Sequence, residues 1–127
     1  MLVAALVLAG LAAALHVYIW GMESLWWTTP RVRATFGTTE EQAETTRGLA
    51  LNQGYYNLFL AVVTVAGIVA FGRGSNAVGA ALVIAGAGSM AAAATVLMIS
   101  DSTKASAAIK QGALPLLALL LLAFAPR

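Results

Sequence analysis

The chain contains no cysteine, which excludes disulfide frameworks, thiolate metal sites and thiol nucleophiles from the start. Its single histidine, His16, cannot supply within one chain the several imidazoles that a catalytic zinc or a bis-histidine haem requires. Charge is scarce: seven Lys and Arg and five Asp and Glu make up 9% of 127 residues, against about 25% in an ordinary soluble domain. The net charge of +2 is too small and too scattered for an electrostatic footprint on nucleic acid, and no nucleic-acid partner is expected. A Walker loop, a Gly-rich dinucleotide loop following a strand and a nucleophile elbow are all missing. No metal and no cofactor is expected from what remains.

What is present is apolar. Hydrophobic residues make up 61% of the chain and the mean hydropathy is +0.87. Polar breaks near residues 28–47, 72–76 and 101–105 leave apolar spans at about 2–27, 48–71, 77–100 and 106–125. Each reaches the ~20 residues needed to cross a bilayer core. The pattern predicts one all-α domain over residues 1–127, an integral membrane four-helix bundle with a short amphipathic helix in its first loop. The first span has no basic leader, and its apolar run is longer than a signal-peptide core, so it reads as a retained helix.

The first loop carries its own signals. In "FGTTEEQAETTRG", Thr38 and Thr39 are N-cap candidates, and Glu41 and Gln42 stand three residues on from them, the spacing of a capping box. A helix should begin near Glu40 and lead into the second span, with bends at Gly48 and Gly54. Pro30 should close the first span, and Trp26 and Trp27 fit the aromatic belt at a headgroup boundary. Arg31, Arg33 and Arg47 in loop one and Lys104 and Lys110 around loop three outnumber Arg73 and Arg127 on the other side. By the positive-inside rule loops one and three are cytoplasmic and both termini lie outside.

The polar residues inside the spans fall at one depth. His16, Trp20, Glu23 and Trp27 are spaced by four, three and four, one narrow stripe at about 100° per residue. In "LALNQGYYNLFLA" Asn52 and Tyr56 share one stripe, and Gln53 and Asn57 share a second. Lys110 and Gln111 open span four on the same side. The other halves of the spans are almost wholly Ala, Leu, Val, Ile and Gly. These positions define a candidate polar pocket open toward the cytoplasm, made of His16, Trp20, Glu23, Asn52, Gln53, Tyr56, Asn57, Lys110 and Gln111.

Each of these residues also has a plain structural reading. Glu23 can snorkel past the tryptophans or pair with Lys110, His16 can join two helices, the amides can serve as interhelical glue, and Tyr55 and Tyr56 can be belt residues. Ala81, Ala85, Ser89 and Ala93 on span three, flanked by Gly86 and Gly88, and Ala5, Ala9 and Ala13 on span one read as packing seams. Pro115 should kink span four and free a carbonyl near the pocket.

The stretches "HVYIWGMESLWWTTPRVRATFG", "ALNQGYYNLFLA" and "GAGSMAAAA" resemble a bacterial family of small four-span integral membrane proteins known only as domain of unknown function 1304. The resemblance covers essentially the whole chain and rests on His16, Glu23, Pro30, Phe36, Asn52, Gln53, Gly54, Tyr56 and Asn57. It implies the four-helix membrane architecture and a place in the bacterial plasma membrane, and brings no activity with it.

Three function classes stay open. In the first, the protein binds, and in one version transports, a small polar or cationic solute, with Glu23 as charge partner and His16 as a proton-linked switch. So small a chain offers half a pathway, so that reading implies a homodimer. In the second, it is a membrane-embedded enzyme using acid/base chemistry on a lipid or isoprenoid. In the third, it is a structural or accessory subunit that uses its small-residue seams. Its partners are then the lipid bilayer, a small-molecule or lipid ligand, or a second copy of itself.

Overall fold

The structure, a computed structural model, describes residues 1–126; Arg127, counted above with the outer side, lies outside the described residues. The elements in order are α1 (Leu2–Trp20), a π-helical turn (Gly21–Leu25), α2 (Pro30–Phe36), α3 (Glu40–Gly72), α4 (Asn76–Ser100), a 3-10 turn (Ser102–Lys104) and α5 (Ala105–Ala123). Four stretches are long and apolar enough to cross a bilayer: Leu2–Leu25, Glu40–Gly72, Asn76–Ser100 and Ser102–Ala123. They form an up-down bundle in which α1 and α4 each pack against α3 and α5 and face each other across the diagonal. The all-α four-helix membrane bundle expected from the apolar pattern is the fold observed.

At the end away from loop one the bundle is closed by a dry core of Ala5, Ala9, Val83, Ala87, Ala118 and Leu122, with Leu6, Ile68 and Phe71 packed around it. The Ala5, Ala9 and Ala13 seam faces inward as expected. The Ala81, Ala85, Ser89 and Ala93 stripe does not: all four residues are exposed on the outside of α4. Small residues cover every side of this helix, so a four-residue repeat could not single out its inner face. That face runs through Val83, Gly86, Ala87, Met90 and Ala94. It meets α3 so closely that a Cβ on Gly67 would lie 2.7 Å from the Val83 main-chain nitrogen, so only glycine fits there.

Loop one is more ordered than its composition suggests. Pro30 does not end the first span, which stops at Leu25; it is the first residue of α2, where its missing N–H costs nothing. The short loop helix is therefore Pro30–Phe36. Val32 of α2 packs on Ile19 and Met22, and Trp27 stands against Phe36 with ring centroids 4.9 Å apart. The helix starting at Glu40 carries the capping box on Thr39, whose hydroxyl accepts from Gln42 N–H at 3.1 Å while Gln42 Oε1 accepts from Thr39 N–H at 3.0 Å. From there α3 runs without interruption through Gly48 and Gly54. Its 33 residues span about 50 Å at 1.5 Å each, well beyond a ~30 Å hydrocarbon core, so its first turns project past the lipid. Pro115 sits buried inside a continuous α5.

Candidate functional site

The site is built where the end of the first span meets α3. After Trp20 the helix widens: the Trp26 N–H reaches back five residues to the Gly21 oxygen at 2.9 Å, the bond of a π turn. Widening has a consequence for burial. Gly21, Met22 and Glu23 are consecutive and all buried, which an ordinary helix edge does not allow. Met22 turns under α2 and Glu23 turns toward α3. Such single turns inside α-helices occur often at functional sites.

Helix α3 receives this turn with a matched face. Leu51, Gly54 and Asn57 recur every three residues and so lie within about 120° of one another around the helix, with Gly54 at the middle. The Ser24 hydroxyl donates to the Leu51 main-chain oxygen at 2.9 Å. Gly54 leaves the space that the turn fills: a Cβ there would strike Ser24 Oγ and lie 3.1 Å from the Glu23 Cβ. Asn57 Nδ2 donates to Glu23 Oε1 at 2.9 Å and also to the Gln53 main-chain oxygen at 3.1 Å. One turn outward, the Trp27 indole N–H is shared between the Ala43 oxygen at 3.0 Å and the Thr46 hydroxyl at 3.2 Å.

Glu23 is 9% exposed and forms no ion pair among the described residues. Asn57 holds one carboxylate oxygen, and no donor among the described residues reaches the other. Glu23 borders a cavity of about 300 Å³ whose other walls are Ser24, Leu25, Trp27 and Thr28 on one side and Arg47, Gly48 and Leu51 on the other. Arg47 stands at the exposed rim, its Nη1 3.5 Å from Glu44 Oε1, the one ion pair among the described residues.

Of the residues expected to share a pocket, the structure brings Glu23 and Asn57 into contact. His16 is buried deeper in α1, and its Nδ1 lies 2.8 Å from the Ala12 oxygen. A carbonyl only accepts, so Nδ1 carries a proton. Trp20 packs edge-on to Tyr55 with centroids 5.9 Å apart, its indole nitrogen enclosed without a partner. Asn52, Gln53 and Tyr56 are exposed and point outward on α3. On α5, Lys110 is exposed and Gln111 half-buried, and neither lines the cavity. Glu23 is not paired with Lys110.

Ser24, Gly54, Arg47 and Leu51 were not singled out as site residues by the sequence reading. Gly54 does carry a signal: a glycine between polar residues in a helix marks a close approach as readily as a bend. A second cavity of about 290 Å³ lies at the opposite end between Leu2, Phe71, Ala80 and Leu122, with Asn76 the one polar side chain among the described residues that line it.

The fold and this site define a class: a small multi-pass membrane bundle with a carboxylate set in a π turn at one end of its first span. Within that class the chain belongs to the family described as protein of unknown function (DUF1304), whose family model matches residues 10–123. The matched segment includes every residue of the Glu23 site. No curated protein and no solved structure matches the chain.

Proposed function

We propose that this protein binds a small amine-bearing solute at the loop-one end of the bundle, with Glu23 as its charge partner. The observation that carries the reading is the state of Glu23: nearly buried, bordering a cavity, held by Asn57 through one oxygen, and among the described residues without an ion-pair partner or a donor to its other oxygen. A carboxylate so placed is costly unless something compensates it, and intramembrane ionisable groups mark ligand sites by default. The cavity holds the space of about ten waters at ~30 Å³ each, enough for a solute of comparable size.

In this reading the basic residues of loops one and three put the mouth on the cytoplasmic side. Transport is an extension of it: a solute leaving the site for the other side would pass His16 and then the Ala and Leu core, so a carrier must open that core. The test is native mass spectrometry on protein extracted gently from its own membrane, comparing wild type with Glu23→Gln. A bound amine present in the first and lost in the second is the expected result. Bare protein in both, or the same species in both, would overturn the assignment.

A further inference from the structure

Resting on that reading, the lining of the cavity says more about its occupant. Glu23 lies inside and Arg47 lines the same cavity from across it. The Arg47 guanidinium is committed only to an exposed i,i+3 contact with Glu44 at 3.5 Å, with both side chains about two-thirds exposed (68% and 66%). Exposed pairs of this kind are weak and easily exchanged. A ligand anion entering the cavity therefore competes readily for a group whose planar fork matches phosphate and carboxylate oxygens.

Position selects between anions. The cavity lies where the first span ends, beside Trp27, at the level where a tryptophan pair is expected to meet the headgroups. Leu25 and Leu51 line it and are 56% and 44% exposed, an apolar margin on either wall that an acyl chain could follow outward. The anion found at that depth in a bilayer is phosphate. We propose that the cavity takes a zwitterion that joins a primary amine to a phosphate ester, the amine on Glu23 and the phosphate on Arg47. That chemistry has two sources, the headgroup of an aminophospholipid and a free phosphoamine.

Calorimetric titration of the purified full chain in detergent separates the parts, with ethanolamine, inorganic phosphate, phosphoethanolamine and dihexanoyl phosphatidylethanolamine as probes. The expected result is that phosphoethanolamine or its dihexanoyl ester binds at least ten-fold more tightly than ethanolamine. Arg47→Gln, at an exposed position that does not burden folding, should reduce this to the ethanolamine level, and Glu23→Gln should remove amine binding altogether. Equal affinity for ethanolamine and phosphoethanolamine, or no effect of Arg47→Gln, would overturn the zwitterion while leaving the amine site standing. Failure of ethanolamine and both phosphoamines to bind would remove the amine site itself. Tighter binding of the dihexanoyl ester than of phosphoethanolamine assigns the site to a lipid, and the reverse order to a free solute.

Discussion

Asn57 on α3 donates to Glu23 in the π turn at 2.9 Å, joining residues 34 positions apart, and among the described residues it is the one side chain that anchors the carboxylate. Replacing Asn57 by Ala leaves both oxygens of a nearly buried carboxylate without a protein donor. Loss of a hydrogen bond to a charged or buried group costs about 1–3 kcal/mol. Asn57→Ala should accordingly lower the thermal midpoint in detergent by several degrees and weaken any ligand held by Glu23. A midpoint equal to wild type would mean that this bond does not hold the turn in place.

Gly54 predicts a specific double-mutant result. Gly54→Ala drives a methyl into Ser24, and overpacking of this kind typically costs about 1–3 kcal/mol. Ser24→Gly alone removes the bond to the Leu51 oxygen and should be mildly destabilising. Combined, the two changes relieve the clash, so the double mutant should be more stable than Gly54→Ala alone. Additive losses, read from denaturation midpoints, would place the origin of the Gly54 requirement elsewhere.

The contrast between those residues and their neighbours explains what the sequence could and could not reveal. Hydropathy specified the four spans because a bilayer admits few alternatives for an apolar stretch of twenty or more residues. It could not reveal the π turn, since no composition marks one, and a stripe drawn at 100° per residue loses phase past Gly21. Glu23 and Asn57 were both legible as intramembrane polar residues, and of that polar cluster these two are in contact. Asn52, Gln53 and Tyr56 were grouped with them by depth and helical stripe, yet all three are exposed on α3 and turned away from the Glu23 contact. Arg47 was legible only as a topogenic charge, because nothing in a linear pattern tells that Gly48 and Leu51 bring it to the edge of a cavity.

The outer face of α4 supplies a third prediction. Ala85 is exposed and Ala87 is fully buried in the apolar core. A leucine at 85 should leave the midpoint of the isolated protein within about 0.5 kcal/mol of wild type, as surface changes usually do. A leucine at 87 should destabilise it by about 1–3 kcal/mol through overpacking. The reverse order in a denaturation series would turn α4 about its axis.

The α4–α5 link has a pH response of known sign. Asp101 accepts from the Thr103 hydroxyl and from the Thr103 N–H at 3.1 Å, and these bonds, chiefly that from the hydroxyl, hold its carboxyl below the ordinary aspartate range. A depressed folded pKa means that the cap's contribution is present above about pH 4, the usual value for an unstructured aspartate, and is lost as pH falls through the lower folded value. An NMR titration of the Asp101 carboxyl carbon should show a midpoint below that of an aspartate in an unstructured peptide. Thr103→Val should move it back up.

Sidedness can be tested with single cysteines, since the chain has none of its own. Thr38 lies in the right loop but is a poor reporter, because its hydroxyl is enclosed. Glu41, in the first turn of α3, is exposed, and so is Ser75 in the short connection between α3 and α4. In intact cells an impermeant thiol reagent should label Ser75→Cys and spare Glu41→Cys, which should react only after lysis. Labelling of Glu41→Cys alone would invert the chain in the membrane and place the mouth of the Glu23 cavity outside. The occupant would then have to come from the outer leaflet or the external medium, while the contacts of Glu23 with Asn57 and the position of Arg47 on the cavity would be unchanged.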